Sequence, residues 1–228
     1  MAAAPHPRSP LSLLFRIKIC GVTSPTDAQN IVLAGADAIG LNFFAPSPRA
    51  VSEAQALRIV EPLPSHVARV GVFVNHPRSD VLRLAETLEL DWIQLHGDEP
   101  PEVLEEYADY QIIRAFRCRD RGGDAVLSYL AQCRHQPNAV LIDAYAAGSY
   151  GGTGQVVDWD AARAVARQIA PIPLILAGGL QPENVAAAIA AVHPQAVDTA
   201  SGVEIAPGQK ATEQVNQFVE QAQTAFAD

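Results

Sequence analysis

The sequence lacks any apolar run long enough to cross a bilayer: the longest, Val185–Val192, has eight residues and is mostly alanine, against the roughly 20 that a membrane helix needs. Basic charge is scarce as well, with 16 Lys and Arg against 25 Asp and Glu and a net charge of −9, which argues against a nucleic-acid partner. Cysteine is rarer still. Cys20, Cys118 and Cys133 make an odd count with no CxxC spacing, which disfavours both a disulfide framework and a structural zinc site. The apolar patch 11–15 is broken by Ser12 and falls short of a secretory h-region of about 7–15 residues, so the cytoplasm is the expected compartment and no membrane partner is expected. Nor does a composition break or linker divide the chain.

What is there is a globular composition, 49% apolar and 18% charged over 228 residues, too apolar for a disordered chain. From Arg16 onward, short β-branched runs alternate with Ala-, Leu- and Glu-rich stretches of helical period. That is the pattern of βα units and a parallel sheet. Strands are predicted at 17–20, 38–43, 68–74, 92–95, 111–115, 139–143, 173–177 and 196–199, with helices at 26–34, 52–60, 79–88, 101–108, 124–132, 160–169, 182–192 and 212–225. Ser52 before Glu53 and Ser79 before Asp80 are good helix caps, and Pro182 suits a first turn. Eight such units imply a single (β/α)₈ TIM barrel over 16–228, preceded by a flexible Pro-rich extension over 1–15. The alternative is an open doubly wound sheet, which usually shows GxGxxG after its first strand. Here that strand runs into Cys20-Gly21-Val22-Thr23.

Barrel active sites lie at the C-terminal ends of the strands, where this chain places Cys20, Asn42, Asn75, Gln94, His96, Arg117, Asp143, Gly178-Gly179 and Ser201-Gly202. Glycine lets backbone N–H groups approach an anion, so Gly178, Gly179, Ser201 and Gly202, in the loops after strands seven and eight, are candidate phosphate binders. The plainer alternative is a pair of tight left-handed turns. Strand alternation puts Lys18 and Cys20 on one face, and a cation such as Lys18 is expected to lower the thiol's pKa toward a usable thiolate. Otherwise Cys20 is a buried small hydrophobe, as Cys118 and Cys133 are read to be. Asp143 ends an apolar strand and faces the same mouth, either as an acid or as a cap for the following loop. Cys20 and Asp143 together suit proton transfer on two sides of a bound substrate. His96 either touches substrate or makes structural hydrogen bonds. By strand parity Asp198 can pair with Lys18 across the barrel seam.

Several segments taken together carry a resemblance: Lys18-Ile-Cys-Gly-Val-Thr23, Phe43-Phe-Ala-Pro-Ser-Pro-Arg49, Val70-Gly-Val-Phe-Val-Asn75, Gln94-Leu-His-Gly-Asp-Glu-Pro100, Leu141-Ile-Asp143 with Tyr150-Gly-Gly-Thr-Gly154, Ala177-Gly-Gly-Leu-Gln-Pro-Glu-Asn184, and Val197-Asp198 with Ser201-Gly-Val-Glu204. Over about Arg16 to Ala225 the chain resembles the phosphoribosylanthranilate isomerase family of tryptophan biosynthesis. The resemblance implies an Amadori rearrangement of N-(5-phosphoribosyl)anthranilate to 1-(2-carboxyphenylamino)-1-deoxy-D-ribulose 5-phosphate, without metal or organic cofactor. It implies that Asp143 is the general acid, Cys20 the general base and Arg49 the partner of the anthranilate carboxylate. The family more often has Val-Ser where this chain has Thr199-Ala200.

Two other readings stay open: a metal-dependent phosphosugar epimerase, which needs converging His and Asp ligands, and a non-catalytic barrel that senses a phosphorylated metabolite. In each the partner is a small phosphorylated molecule, and the protein is expected to be a monomer or a homodimer.

Overall fold

In β1 (Ile17–Cys20), alternation sends Ile17 and Ile19 outward into the helix-facing core and turns Lys18 and Cys20 toward the barrel axis. The computed structural model, which describes residues 15–118, 123–144 and 158–227, repeats this logic around a ring. Strands β2 (Ala38–Asn42), β3 (Ala68–Phe73), β4 (Trp92–Leu95), β5 (Gln111–Cys118), β6 (Ala139–Ala144), β7 (Leu174–Leu176) and β8 (Ala196–Thr199) follow in order, all parallel. β8 closes onto β1, with Lys18 opposite Asp198 and Ile19 opposite Thr199. The (β/α)₈ barrel expected from the sequence is the fold.

The helices are α1 (Pro25–Ala34), α2 (Glu53–Val60), α3 (Arg78–Thr87), α4 (Gly123–Gln132), α5 (Trp159–Gln168), α6 (Val185–Val192) and α7 (Thr212–Ala227). Among the expected details that differ, three concern the helices. The crossover from β4 to β5 is a 3-10 helix, Pro101–Tyr107, because Pro100 and Pro101 have no N–H to offer and the segment is short. α3 starts one residue before Ser79, with Pro77 at its cap and no side-chain bond there. α6 starts at Val185 rather than Pro182: Asn184 accepts from the Gln181 N–H and donates to the Gly179 carbonyl, holding residues 181–184 in a turn. The Ser52 cap stands, in a full capping box with Gln55. A short hairpin, β9 (Glu204–Ala206) and β10 (Gln209–Lys210), follows β8 before α7.

Two cores result. Outward residues of the strands pack on the helices, and inward residues such as Val70, Ile113, Leu141 and Ile175 fill the barrel. The lower end is stoppered by Phe15, 2% exposed, edge-on to Trp92 at 5.6 Å. Phe15 therefore belongs to the barrel and not to the extension; residues 1–14 lie outside the described residues. Among those described, no helix is long and apolar enough to cross a membrane.

Candidate active site

At the upper end, a cavity is lined by residues of six strands and their loops, among them Cys20, Arg49, Gln94, His96, Asp143 and Asp198. Residues singled out from the sequence, Cys20, Asn42, Arg49, Gln94, His96, Asp143 and Asp198, thus meet in one place. The glycine loops stand beside it, contributing Ala200 to the lining.

Room for Cys20 comes from Gly40, its partner on β2: a Cβ at that position would lie 2.7 Å from the Cys20 Sγ and 3.2 Å from the Lys18 Cε. Lys18 is fully buried, and its Nζ donates to Asp198 Oδ1 at 2.9 Å, so the seam pairing expected from strand parity is present. Removing one partner would strand a buried charge. The expected lowering of the thiol's pKa is not found. Burial pushes Cys20 above the ordinary 9.0, and the pull of Lys18 and Lys210, opposed by Asp198, does not overcome it.

Asp143, next to last in β6, lies opposite Arg117 on β5. His96 places Nε2 3.5 Å from Asp143 Oδ2, while its Nδ1 sits 2.9 Å from the amide nitrogen of the fully buried Gln94. An amide donating to Nδ1 leaves the ring proton on Nε2, aimed at the carboxylate. His96 is held by Gln94 in the cavity wall, and its Nε2, which has no hydrogen-bond partner among the described residues, lies close to the Asp143 carboxylate.

Arg49 follows Pro46 and Pro48, and its stem crosses Gly21, where a Cβ would come within 2.5 Å of Cδ. Its guanidinium is held in fork geometry by Glu204, with Nε to Oε1 at 2.9 Å and Nη2 to Oε2 at 2.7 Å. Glu204 in turn meets Lys210 Nζ at 2.7 Å. Burial alone would raise the Glu204 carboxyl, but these two cations hold it below its ordinary 4.5. Sequence reasoning gave neither Glu204 nor Lys210 a role. The acid closing the Ser-Gly-Val-Glu segment was the available signal for the first, and a two-residue strand offers no periodicity to reveal the second.

Gly178 and Gly179 have φ of 85° and 68°, a left-handed backbone that favours glycine. The tight-turn reading is thus correct for this loop but not at Gly202, whose φ is not left-handed, and the anion reading stands, since among the described residues no partner occupies the N–H groups of Gly178 and Gly179. At Gly202 a Cβ would fall 1.9 Å from the Leu180 carbonyl oxygen, which also accepts from Thr199 Oγ1 at 2.7 Å. The loops after β7 and β8 are locked together at that point. Tyr150 to Gly154 lie outside the described residues. Among those described, no three His, Cys, Asp or Glu side chains converge as a metal-holding group.

With this geometry in hand, comparison with known proteins is direct. The family model described as N-(5'phosphoribosyl)anthranilate (PRA) isomerase matches residues 17–221. The N-(5'-phosphoribosyl)anthranilate isomerase of Geobacter sulfurreducens is 46% identical over 210 residues, covering 92% of this chain and 98% of the relative. A crystal structure of phosphoribosyl anthranilate isomerase in complex with reduced 1-(o-carboxyphenylamino)-1-deoxyribulose 5-phosphate superposes with a TM-score of 0.80 at 36% identity, covering 92% of this chain and 99% of the other. Monomers generated from the dimeric Thermotoga maritima enzyme superpose with a TM-score of 0.79 at 34% identity, over 92% of this chain and 99% of that one.

Proposed function

The chain belongs to the N-(5'-phosphoribosyl)anthranilate isomerase family and is an isomerase of tryptophan biosynthesis, and from that premise we propose that Cys20 and Asp143 carry its Amadori rearrangement as general base and general acid. The observation behind this reading is the shared cavity: β1 and β6, on opposite arcs of the barrel, project a thiol and a carboxyl into one space that also holds a guanidinium.

Asp143 gives its proton to the furanose ring oxygen, the C1′–O bond breaks, and the anthranilate nitrogen supplies the electron pair that forms the iminium. Cys20 as thiolate removes the proton from C2′, and the C–H electrons become the enolamine double bond. The enolamine then ketonises, with the 2′-hydroxyl losing a proton and C1′ gaining one. Ring oxygen and C1′ gain what C2′ and the 2′-hydroxyl lose, so the product is an isomer, and one proton returns from thiol to carboxylate per turnover. His96 Nε2–H steadies the carboxylate once its proton has gone. Because burial holds the thiol above its usual range, thiolate is the minor form near neutrality and a strong base when present.

The substrate's phosphate is assigned to the N–H groups of Gly178, Gly179, Ser201 and Gly202, and its carboxylate to Arg49. Every group named comes from one chain, so a monomer and a homodimer serve equally. The test is loss of substrate fluorescence on mixing with purified protein. Turnover that disappears in both Cys20→Ala and Asp143→Asn supports the assignment; turnover surviving in either removes that residue from it.

A further inference from the structure

Behind Arg49 lies a set of buried charges that the proposed chemistry does not use. Lys210 and Glu204 expose only 2% and 3% of their side chains. All three protons of the Lys210 ammonium have acceptors: the carbonyl of Cys20 at 2.6 Å, that of Ala200 at 3.1 Å and Glu204 Oε1 at 2.7 Å. The ammonium is therefore fully spent on protein groups. Glu204 further accepts from the Gly208 N–H at 3.3 Å, at the turn of the hairpin.

A guanidinium has five N–H donors. Glu204 takes Nε–H and one proton of Nη2, leaving one proton each on Nη1 and Nη2 along the end of the fork. Among the described residues no other bond engages that end, and Arg49 lines the cavity. Two parallel N–H bonds from Nη1 and Nη2 are what a planar carboxylate takes up. A carboxylate next to an anion-binding arginine would ordinarily cancel its charge, but two cations and one anion leave this triad positive.

We propose that Glu204, held by Lys210, is a positioning residue that fixes which edge of the Arg49 guanidinium meets the carboxylate of the ligand. The inference rests on the reading of Arg49 given above. The same ammonium grips the Cys20 carbonyl, so the hairpin registers the carboxylate-binding fork against the strand that carries the thiol.

The test is calorimetric binding of reduced 1-(o-carboxyphenylamino)-1-deoxyribulose 5-phosphate and of the same compound without its ring carboxylate. It uses the full chain and its Arg49→Ala, Glu204→Gln and double variants. Glu204→Gln is expected to weaken the carboxylate compound by about tenfold, as for loss of a charge-assisted contact, and the other by less than about twofold. In the Arg49→Ala background it should add almost nothing, because no fork remains to aim. Equal losses for both compounds, or a loss that adds in full to that of Arg49→Ala, would mean that Glu204 only supports the fold. If Arg49→Ala itself weakens both compounds alike, the reading of Arg49 falls first; if it discriminates and Glu204→Gln does not, the positioning proposal alone is overturned. Should Glu204→Gln not fold, Glu204→Asp keeps the charge but falls one carbon short. The same selective loss is expected of it, and an equal loss counts against it.

Discussion

The two ends of this barrel are made by the same strands and have opposite chemistry. Below, Phe15 lies edge-on to Trp92 over an interior of Val70, Ile113 and Ile175. Above, Lys18, Gln94, His96, Asp143 and Asp198 are all buried and polar. The change takes one step of two residues, roughly 7 Å along a strand: Trp92 to Gln94 on β4, Leu141 to Asp143 on β6. Stability and chemistry are thereby assigned to neighbouring layers, and substitutions should separate them.

The largest effect belongs to the upper layer. Cys20→Ala and Asp143→Asn should each lower kcat by ~10²–10⁴-fold, the range of a positioned acid or base, while the melting temperature moves little and ligand affinity is largely kept. Stopped-flow fluorescence and calorimetry read the two halves of that statement. The lower layer should answer in the opposite way. Phe15→Ala opens a cavity over Trp92 and should cost about 3–5 kcal/mol of stability, seen as a lower denaturation midpoint, with kcat and KM unchanged. A Phe15 variant that loses turnover while still folded would break the separation.

Arg49→Ala removes charge-assisted bonds of about 1.5–3 kcal/mol and should raise KM roughly ten- to a hundredfold. The rise should vanish for a substrate without the carboxylate; a rise for both would assign Arg49 to loop support. Gly202→Ala tests the locked loops. Its Cβ would meet the Leu180 carbonyl oxygen at 1.9 Å, so the loop must shift, at a cost of about 1–3 kcal/mol, and KM should rise with little change in kcat. An unchanged KM would remove Gly202 from the phosphate site.

How much of this was legible beforehand follows the same division. Period-two alternation placed Lys18 and Cys20 inward and matched Lys18 with Asp198, because a closed parallel barrel constrains both side and register. It could not give the direction of the thiol's pKa, which depends on how completely the surrounding strand ends exclude solvent. Phe15 falls with the extension on sequence alone because a lone aromatic carries no periodicity. Ser79 and Pro182 looked like helix starts, yet Pro77 and the Asn184 turn set the actual ones through bonds that a local pattern does not show. Strand-end position alone makes Cys20 and Asp143 candidates for proton transfer, whereas the role of Arg49 rests on the resemblance. Glu204 and Lys210, on a hairpin of three and two residues, had no pattern to betray them.

The smallest expected effect sharpens the contrast between the layers through pH. The Glu204 carboxyl in the folded protein is held below its ordinary 4.5, where burial, which alone would raise it, is outweighed by its bonds to Arg49 and Lys210. Between the folded and unfolded values the unfolded chain binds more protons, so stability rises with pH across that window. The contribution is therefore complete above pH 4.5 and is lost as pH falls through the folded value. Thermal melts from pH 7 to pH 3 should show Glu204→Gln less stable than the natural chain at the upper end, with the gap closing below about pH 4.5. The gap between Phe15→Ala and the natural chain should not close in this way, since neither a phenyl ring nor the apolar side chains beneath it titrate. A Glu204→Gln gap that stayed constant across the range would mean that the carboxylate's charge does not stabilise the triad, and that its packing alone accounts for the loss.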